Sequence, residues 1–284
     1  MPLGIIAGVN DGPVSPFSLF DFTHRGVSRA VYRAGSGAAV IVVHELPGLH
    51  PGVVDFGRRL VDAGWTVYLP SLFGRPGEPY SPATMRRVLT RVCVSREFAI
   101  LADRTSRVTG WLRALAAQAH AECGGPGVGA VGMCFTGGFA LAMAVEPAVV
   151  GSVLSQPSLP ATLLARNRTA LGLDQPDLTC VRARARRGEL GVLGLRFSHD
   201  SGCPPERFAR LRDELGAGFE GIEIDSSADN PYGINSSAHA VLTVDLVDEP
   251  GHPTRAALDR VQAFLTERLG GSAAPNTTQE QQNA

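Results

Sequence analysis

The sequence predicts an α/β fold: a mostly parallel, doubly wound sheet with helices on both faces. Three observations point there. Short apolar runs alternate with amphipathic segments at the spacing of repeated βα units, and a parallel sheet covered on both sides produces that pattern. Hydrophobic residues make up 44% of the chain and charged residues 19%, which supplies a large core and too little charge for disorder. The 284 residues exceed the usual single-domain size but are within what one doubly wound domain fills.

In chain order, residues 1–16 are rich in Gly and Pro and read as a flexible lead-in to a single domain over 17–270. Phe17 to Arg33 predicts an antiparallel hairpin at the sheet edge. Strands are expected at Ala39–His44, Trp65–Pro70, Val128–Met133, Val149–Ser155, Leu190–Ser198 and Phe219–Asp225. Helical patterns cover Gly52–Ala63, Met85–Ala119, Gly137–Val145, Pro204–Leu215 and Thr254–Leu269, and Trp111 with its apolar stripe reads as core. Residues 158–188 form the longest stretch without a strand, a candidate cap over the mouth of the sheet. Residues 271–284 are small, polar and rich in Gln and Asn, a disordered tail by composition.

Composition excludes several function classes. A net charge of -1 and a pI near 6.7 leave no basic footprint for nucleic acid. The arginine run of Arg182, Arg184, Arg186 and Arg187 reads as a solvated helical face, with recognition of an acidic ligand as the alternative. No lysine is present, which removes Schiff-base chemistry and a Ser-Lys dyad. Cys93, Cys123, Cys134, Cys180 and Cys203 form an odd set without CxxC spacing, so neither a disulfide framework nor a zinc site is indicated. The histidines are scattered without HExxH spacing, and the expectation is no metal and no cofactor. No run approaches the ~18 apolar residues of a membrane span, and no basic region followed by an apolar stretch opens the chain; the reading is a cytoplasmic protein in a reducing compartment.

The segment Gly132-Met133-Cys134-Phe135-Thr136-Gly137-Gly138 follows a strand and opens an apolar helix, the context of a nucleophile elbow. Such a turn strains its central residue and needs a small residue two positions earlier, which Gly132 supplies. The following helix N-terminus favours a thiolate over a thiol. A buried cysteine among glycines is also an ordinary small core residue. A cysteine nucleophile needs a base, and the base a group that fixes its tautomer. Asp200, just past a strand in RFSHD, stands where that acid belongs, with an Asx turn before Ser201 and Gly202 as the alternative. Of the two histidines after the last strand, His239 lies on the loop, whereas His252 beside Pro253 reads as a helix-entry residue. Tyr232 and Asn235 in the preceding loop read as loop-shaping.

Several segments in order resemble the dienelactone hydrolase family of the α/β-hydrolase superfamily: VIVVHELPGLHPGVVDFGRRL, WTVYLPSLFG, GAVGMCFTGG, LGVLGLRFSHD and SSAHAVLT, spanning Phe17 to Leu269. The resemblance implies an α/β-hydrolase fold with Cys134 as nucleophile and the catalytic-histidine segment falling on His239. It also implies that Glu45 contacts the resting thiol and changes partner when substrate binds. By fold position the oxyanion hole consists of the Leu46 and Phe135 N–H groups. The implied activity is hydrolysis of a small ester or lactone through a thioacyl-enzyme. A non-hydrolytic cyclase or isomerase, or a non-catalytic small-molecule binding protein, is the alternative. Two departures stand out. Thr136 replaces the family's usual glycine, which implies looser helix-to-strand packing or that Gly137 takes over. Thr243 stands four residues past His239, where family members carry an arginine for the lactone carboxylate. Arg86, Arg87, Arg91 and Arg96 are candidates for a second anchor.

Overall fold

The computed structural model describes residues 12–94, 105–159 and 165–270. Eight strands form one sheet: β1 (Ser18–His24), β2 (Val27–Ala34), β3 (Ala39–Val43), β4 (Thr66–Pro70), β5 (Val128–Met133), β6 (Val149–Ser155), β7 (Gly191–Phe197) and β8 (Phe219–Ile224). Their spatial order is β1-β2-β4-β3-β5-β6-β7-β8. The edge hairpin closes through Arg25 and Gly26, both at positive φ (48° and 78°), the two-residue turn whose twist matches paired strands. β2 meets β4 antiparallel, and from β4 to β8 every pairing is parallel.

The period of two along the strands sorts side chains onto two faces. In β3, Val40 and Val42 join one core with Val53 and Leu60 of α1 (Pro51–Asp62) and Val261 and Leu265 of α8 (Pro253–Leu269). Ile41 and Val43 face the other core, filled by α3 (Val108–Cys123), α4 (Gly137–Met143), α6 (Gln175–Arg186) and α7 (Pro205–Leu215). Trp111 is buried there, and its indole N–H donates to the Val27 carbonyl at 3.1 Å.

Four expectations need correction. The predicted Met85–Ala119 helix is two helices, α2 (Pro82–Val94) and α3, with 95–104 outside the described residues. Residues 12–16 are packed, not loose: Val14 is buried and Arg58 Nε donates to the Ser15 carbonyl at 2.7 Å. In the strandless stretch, α5 (Ala165–Arg168) is short, and α6 sinks Leu178 and Val181 into the core as the crossover between β6 and β7. From residue 175 on, the stretch is therefore structural rather than a cover, while 160–164 lie outside the described residues. The arginine run is not uniformly solvated either. Arg184 is buried and donates to the carbonyls of Ala144 (2.5 Å), Glu146 (2.8 Å) and Pro147 (3.0 Å), tying α6 to the end of α4. The readings of residues 1–11 and of the 271–284 tail fall outside the described residues. Among those described, no helix is long and apolar enough to cross a membrane.

Candidate active site

Cys134 directly follows β5 as the first residue of a short 3-10 turn (Cys134–Thr136) that leads into α4, and its φ is +54°. A non-glycine residue in the left-handed region is held there by its surroundings. Gly132 makes the turn sterically possible, since a Cβ at that position would stand 2.3 Å from the Thr136 carbonyl oxygen and 2.8 Å from the Ala140 methyl. Thr136 does not loosen the packing. Its fully buried hydroxyl accepts from the Met133 N–H at 2.9 Å and shares its proton between the Val43 (2.8 Å) and Met133 (2.9 Å) carbonyls, pinning the elbow to the end of β3. Gly137 is required for a different reason: a Cβ there would lie 2.7 Å from the Pro157 ring.

Asp200 and His239 meet across 39 positions, His239 Nδ1 to Asp200 Oδ2 at 2.7 Å. The other oxygen, Oδ1, accepts from the Gly202 N–H at 2.8 Å, so Asp200 makes the Asx turn and the histidine bond together. Asp245, which the sequence reading missed, holds the histidine backbone: its Oδ2 accepts from the N–H groups of His239 (2.9 Å) and Ala240 (2.8 Å). Burial works against a charged His239 ring, yet its interactions with Cys134 and Asp200 outweigh it and hold the ring well above the ordinary imidazole range. His252 is where its neighbours suggested, capping α8 with its ring on Thr254. The loop before His239 is shaped chiefly by Asn230, whose side chain bonds to Ser227, Tyr232 and Ile234, with Asn235 bonding Ser237.

Glu45 is 2% exposed and differs from the resemblance's expectation. Its oxygens accept from His50 Nε2 (3.0 Å), Gln156 Nε2 (2.9 Å) and the Thr243 hydroxyl, and no described hydrogen bond joins it to Cys134. Gln156 is itself fully buried with φ +35°, and its backbone N–H donates to Leu195 at 2.7 Å. Thr243, at the family's arginine position, is thus spent on an internal bond. Of the other arginine candidates, Arg86 lies in α2, Arg87 pairs with Glu78, Arg91's side chain is not described, and Arg96 falls outside the described residues.

Tyr80 was also missed. Its exposed ring packs edge-on against His50 at 5.7 Å, and its phenol feels the charges of Glu45, His239, Cys134 and Asp245, which puts it at the mouth of the site. Burial of part of the ring, with Glu45 adding to it, raises the phenol above its usual range. Leu46 and Phe135 are both buried, Leu46 in the loop after β3 and Phe135 one residue past Cys134. Nothing in the sequence marks His50, Gln156 or Tyr80, because each matters only through what packs beside it.

The Dienelactone hydrolase family model matches residues 29–168. A provisionally assigned dienelactone hydrolase from Klebsiella pneumoniae subsp. pneumoniae MGH 78578 superposes with a TM-score of 0.59 at 19% identity, covering 88% of this chain and 98% of that one. A dienelactone hydrolase-like promiscuous phosphotriesterase from metagenomic libraries gives 0.57 at 16%, covering 89% and 98%. A 2,6-dihydroxy-pseudo-oxynicotine hydrolase gives 0.56 at 13%, covering 90% and 70%. No curated protein sequence matches the chain significantly. The structural likenesses establish the α/β-hydrolase fold.

Proposed function

We propose that this chain, whose residues 29–168 match the Dienelactone hydrolase family, hydrolyses small esters or lactones through a thioacyl-enzyme on Cys134. The observation that carries the reading is the Asp200-His239 bond of 2.7 Å, together with the interaction of the same imidazole with a cysteine held at φ +54°. Asp200 accepts a hydrogen bond from the Nδ1–H, which leaves Nε2 to serve the nucleophile. Cys134 Sγ adds to the ester carbonyl, and the negative oxygen is met by the N–H groups of Phe135 and Leu46. The intermediate collapses by breaking its C–O bond, and the leaving alkoxide takes the proton held on His239. Water then adds to the thioester with His239 as base, and the carboxylic acid and the thiolate-imidazolium pair are released.

No cofactor takes part in these steps. With Thr243 bonded to Glu45, the position used by family members for a substrate carboxylate offers no cation, which favours substrates without a carboxylate at that end. Brief exposure of the protein and of Cys134→Ala to a panel of aryl esters and small lactones, followed by intact mass, tests the reading. A transient acyl adduct in the wild type alone supports it. Turnover that survives in Cys134→Ala, or product formed without oxygen from labelled water, replaces it with non-hydrolytic chemistry on the same fold; a folded protein with neither adduct nor turnover is a binding protein.

A further inference from the structure

We infer that His44 is a positioning residue for the oxyanion hole, fixing the peptide between Glu45 and Leu46 so that the Leu46 N–H faces the nucleophile. This rests on the hydrolytic reading above. His44 is fully buried at the end of β3. Its Nε2 lies 3.0 Å from the Leu72 N–H, which can only donate, so Nε2 carries no proton. The proton is therefore on Nδ1, which donates to the Glu45 carbonyl at 3.0 Å. The Glu45-Leu46 peptide is not among the cis bonds of the described residues, and across a trans peptide the C=O and N–H point in opposite directions. Anchoring the carbonyl in the core thus turns the Leu46 N–H away from it. No described residue accepts a hydrogen bond from that N–H.

The same ring connects both halves of the hole. His44 stands edge-on to Phe73 with ring centroids 4.4 Å apart, and Phe73 packs on Phe135, the bearer of the second donor, at 5.6 Å. The loops bearing Leu46 and Leu72 touch backbone to backbone. A Cβ on Gly74 would fall 2.0 Å from the Pro47 carbonyl oxygen, and one on Gly48 would fall 2.8 Å from that of Phe73. Between these close approaches, His44 supplies the directional bonds at both ends of the contact.

The test uses the full chain with His44→Phe, which keeps an aromatic ring beside Phe73 and removes both hydrogen bonds, and His44→Gln, whose amide offers one donor and one acceptor. Two rates are measured: hydrolysis of an activated aryl ester, which builds an oxyanion, and alkylation of Cys134 by iodoacetamide, a displacement that builds none. The expected result for His44→Phe is a fall in kcat of roughly 10- to 100-fold, below the ~10²–10³ for complete loss of a donor. KM and the alkylation rate stay within about threefold, and His44→Gln recovers most of the kcat. An unchanged kcat in folded His44→Phe overturns the inference, as does an alkylation rate that falls in parallel with kcat. If His44→Phe does not fold, His44→Asn, whose shorter amide reaches one partner only, takes its place with the same readouts. A wild type without esterase activity would sink the hydrolytic reading itself, a different outcome from turnover that ignores His44.

Discussion

Around Cys134, geometry is set mainly within a few positions of chain: Gly132 leaves room for Thr136 and Ala140, and Cys134 takes φ +54°. The wall at Glu45 is drawn from distant segments, with Gln156 111 positions away and Thr243 198. The elbow is governed chiefly by repulsion between neighbours, with one long-range bond from Thr136 to Val43, whereas the wall is governed by hydrogen bonds between parts that meet only after folding. Damage to the elbow should therefore be steric and abrupt. Damage to the wall should be smaller and should couple one residue to the next.

The largest expected effect is at the elbow. Cys134→Ala should lower ester turnover by roughly 10⁴-fold or more while leaving the melting temperature near wild type, as steady-state assay and thermal denaturation will show. Asp200→Asn keeps the shape of the acid but unsettles the imidazole tautomer, and kcat should fall by about 10³- to 10⁴-fold. Gly132→Ala introduces a Cβ 2.3 Å from backbone oxygen, and urea denaturation should register a loss of roughly 3 kcal/mol or more. An effect within ~0.5 kcal/mol would mean the elbow can shift, and would erase the contrast with the wall.

Next is the acid limb of stability. Burial, with His50 adding to it, lowers the His44 ring to about 4 although its bonds to Glu45 act the other way. The unfolded chain takes up that proton near pH 6.5, so it binds more protons than the native state in between. His44 thus contributes stability that is fully present above about pH 6.5, is lost as pH falls toward 4, and amounts to roughly 3 kcal/mol. Denaturation midpoints measured across that window should flatten in His44→Gln. The smallest effect is at the far edge of the wall, where Thr243→Val should cost about 1 kcal/mol. A double-mutant cycle with Glu45→Gln should give a coupling of ~0.5 kcal/mol or more, while the pair Gly132→Ala and Thr243→Val should be additive.

The sheet was legible because alternation of apolar residues is imposed strand by strand, and Val40 and Val42 point to one core while Ile41 and Val43 point to the other. Hairpin, parallel strands and α8 all followed from that kind of local signal. The break just before α3, at Thr105 and Ser106, was missed because a short polar run inside an otherwise apolar helical pattern does not by itself mark a helix end. The burial of Arg184 was hidden for another reason: a charge run looks alike whether it meets water or three carbonyls. Asp200 shows a limit of choosing between readings, since its two oxygens satisfy the turn and the histidine at once.

By itself the sequence determined the α/β layering, the elbow around Cys134 and the loop positions of Asp200 and His239, because each depends on periodicity, backbone sterics or chain order acting over a few residues. Only the tertiary structure decided that Glu45 is bound by His50, Gln156 and Thr243, that Asp245 holds the His239 backbone, and that His44 spans two loops. Those partners are selected when loops from different strands converge at one end of the sheet, where a buried donor or acceptor must find a partner whatever its distance along the chain.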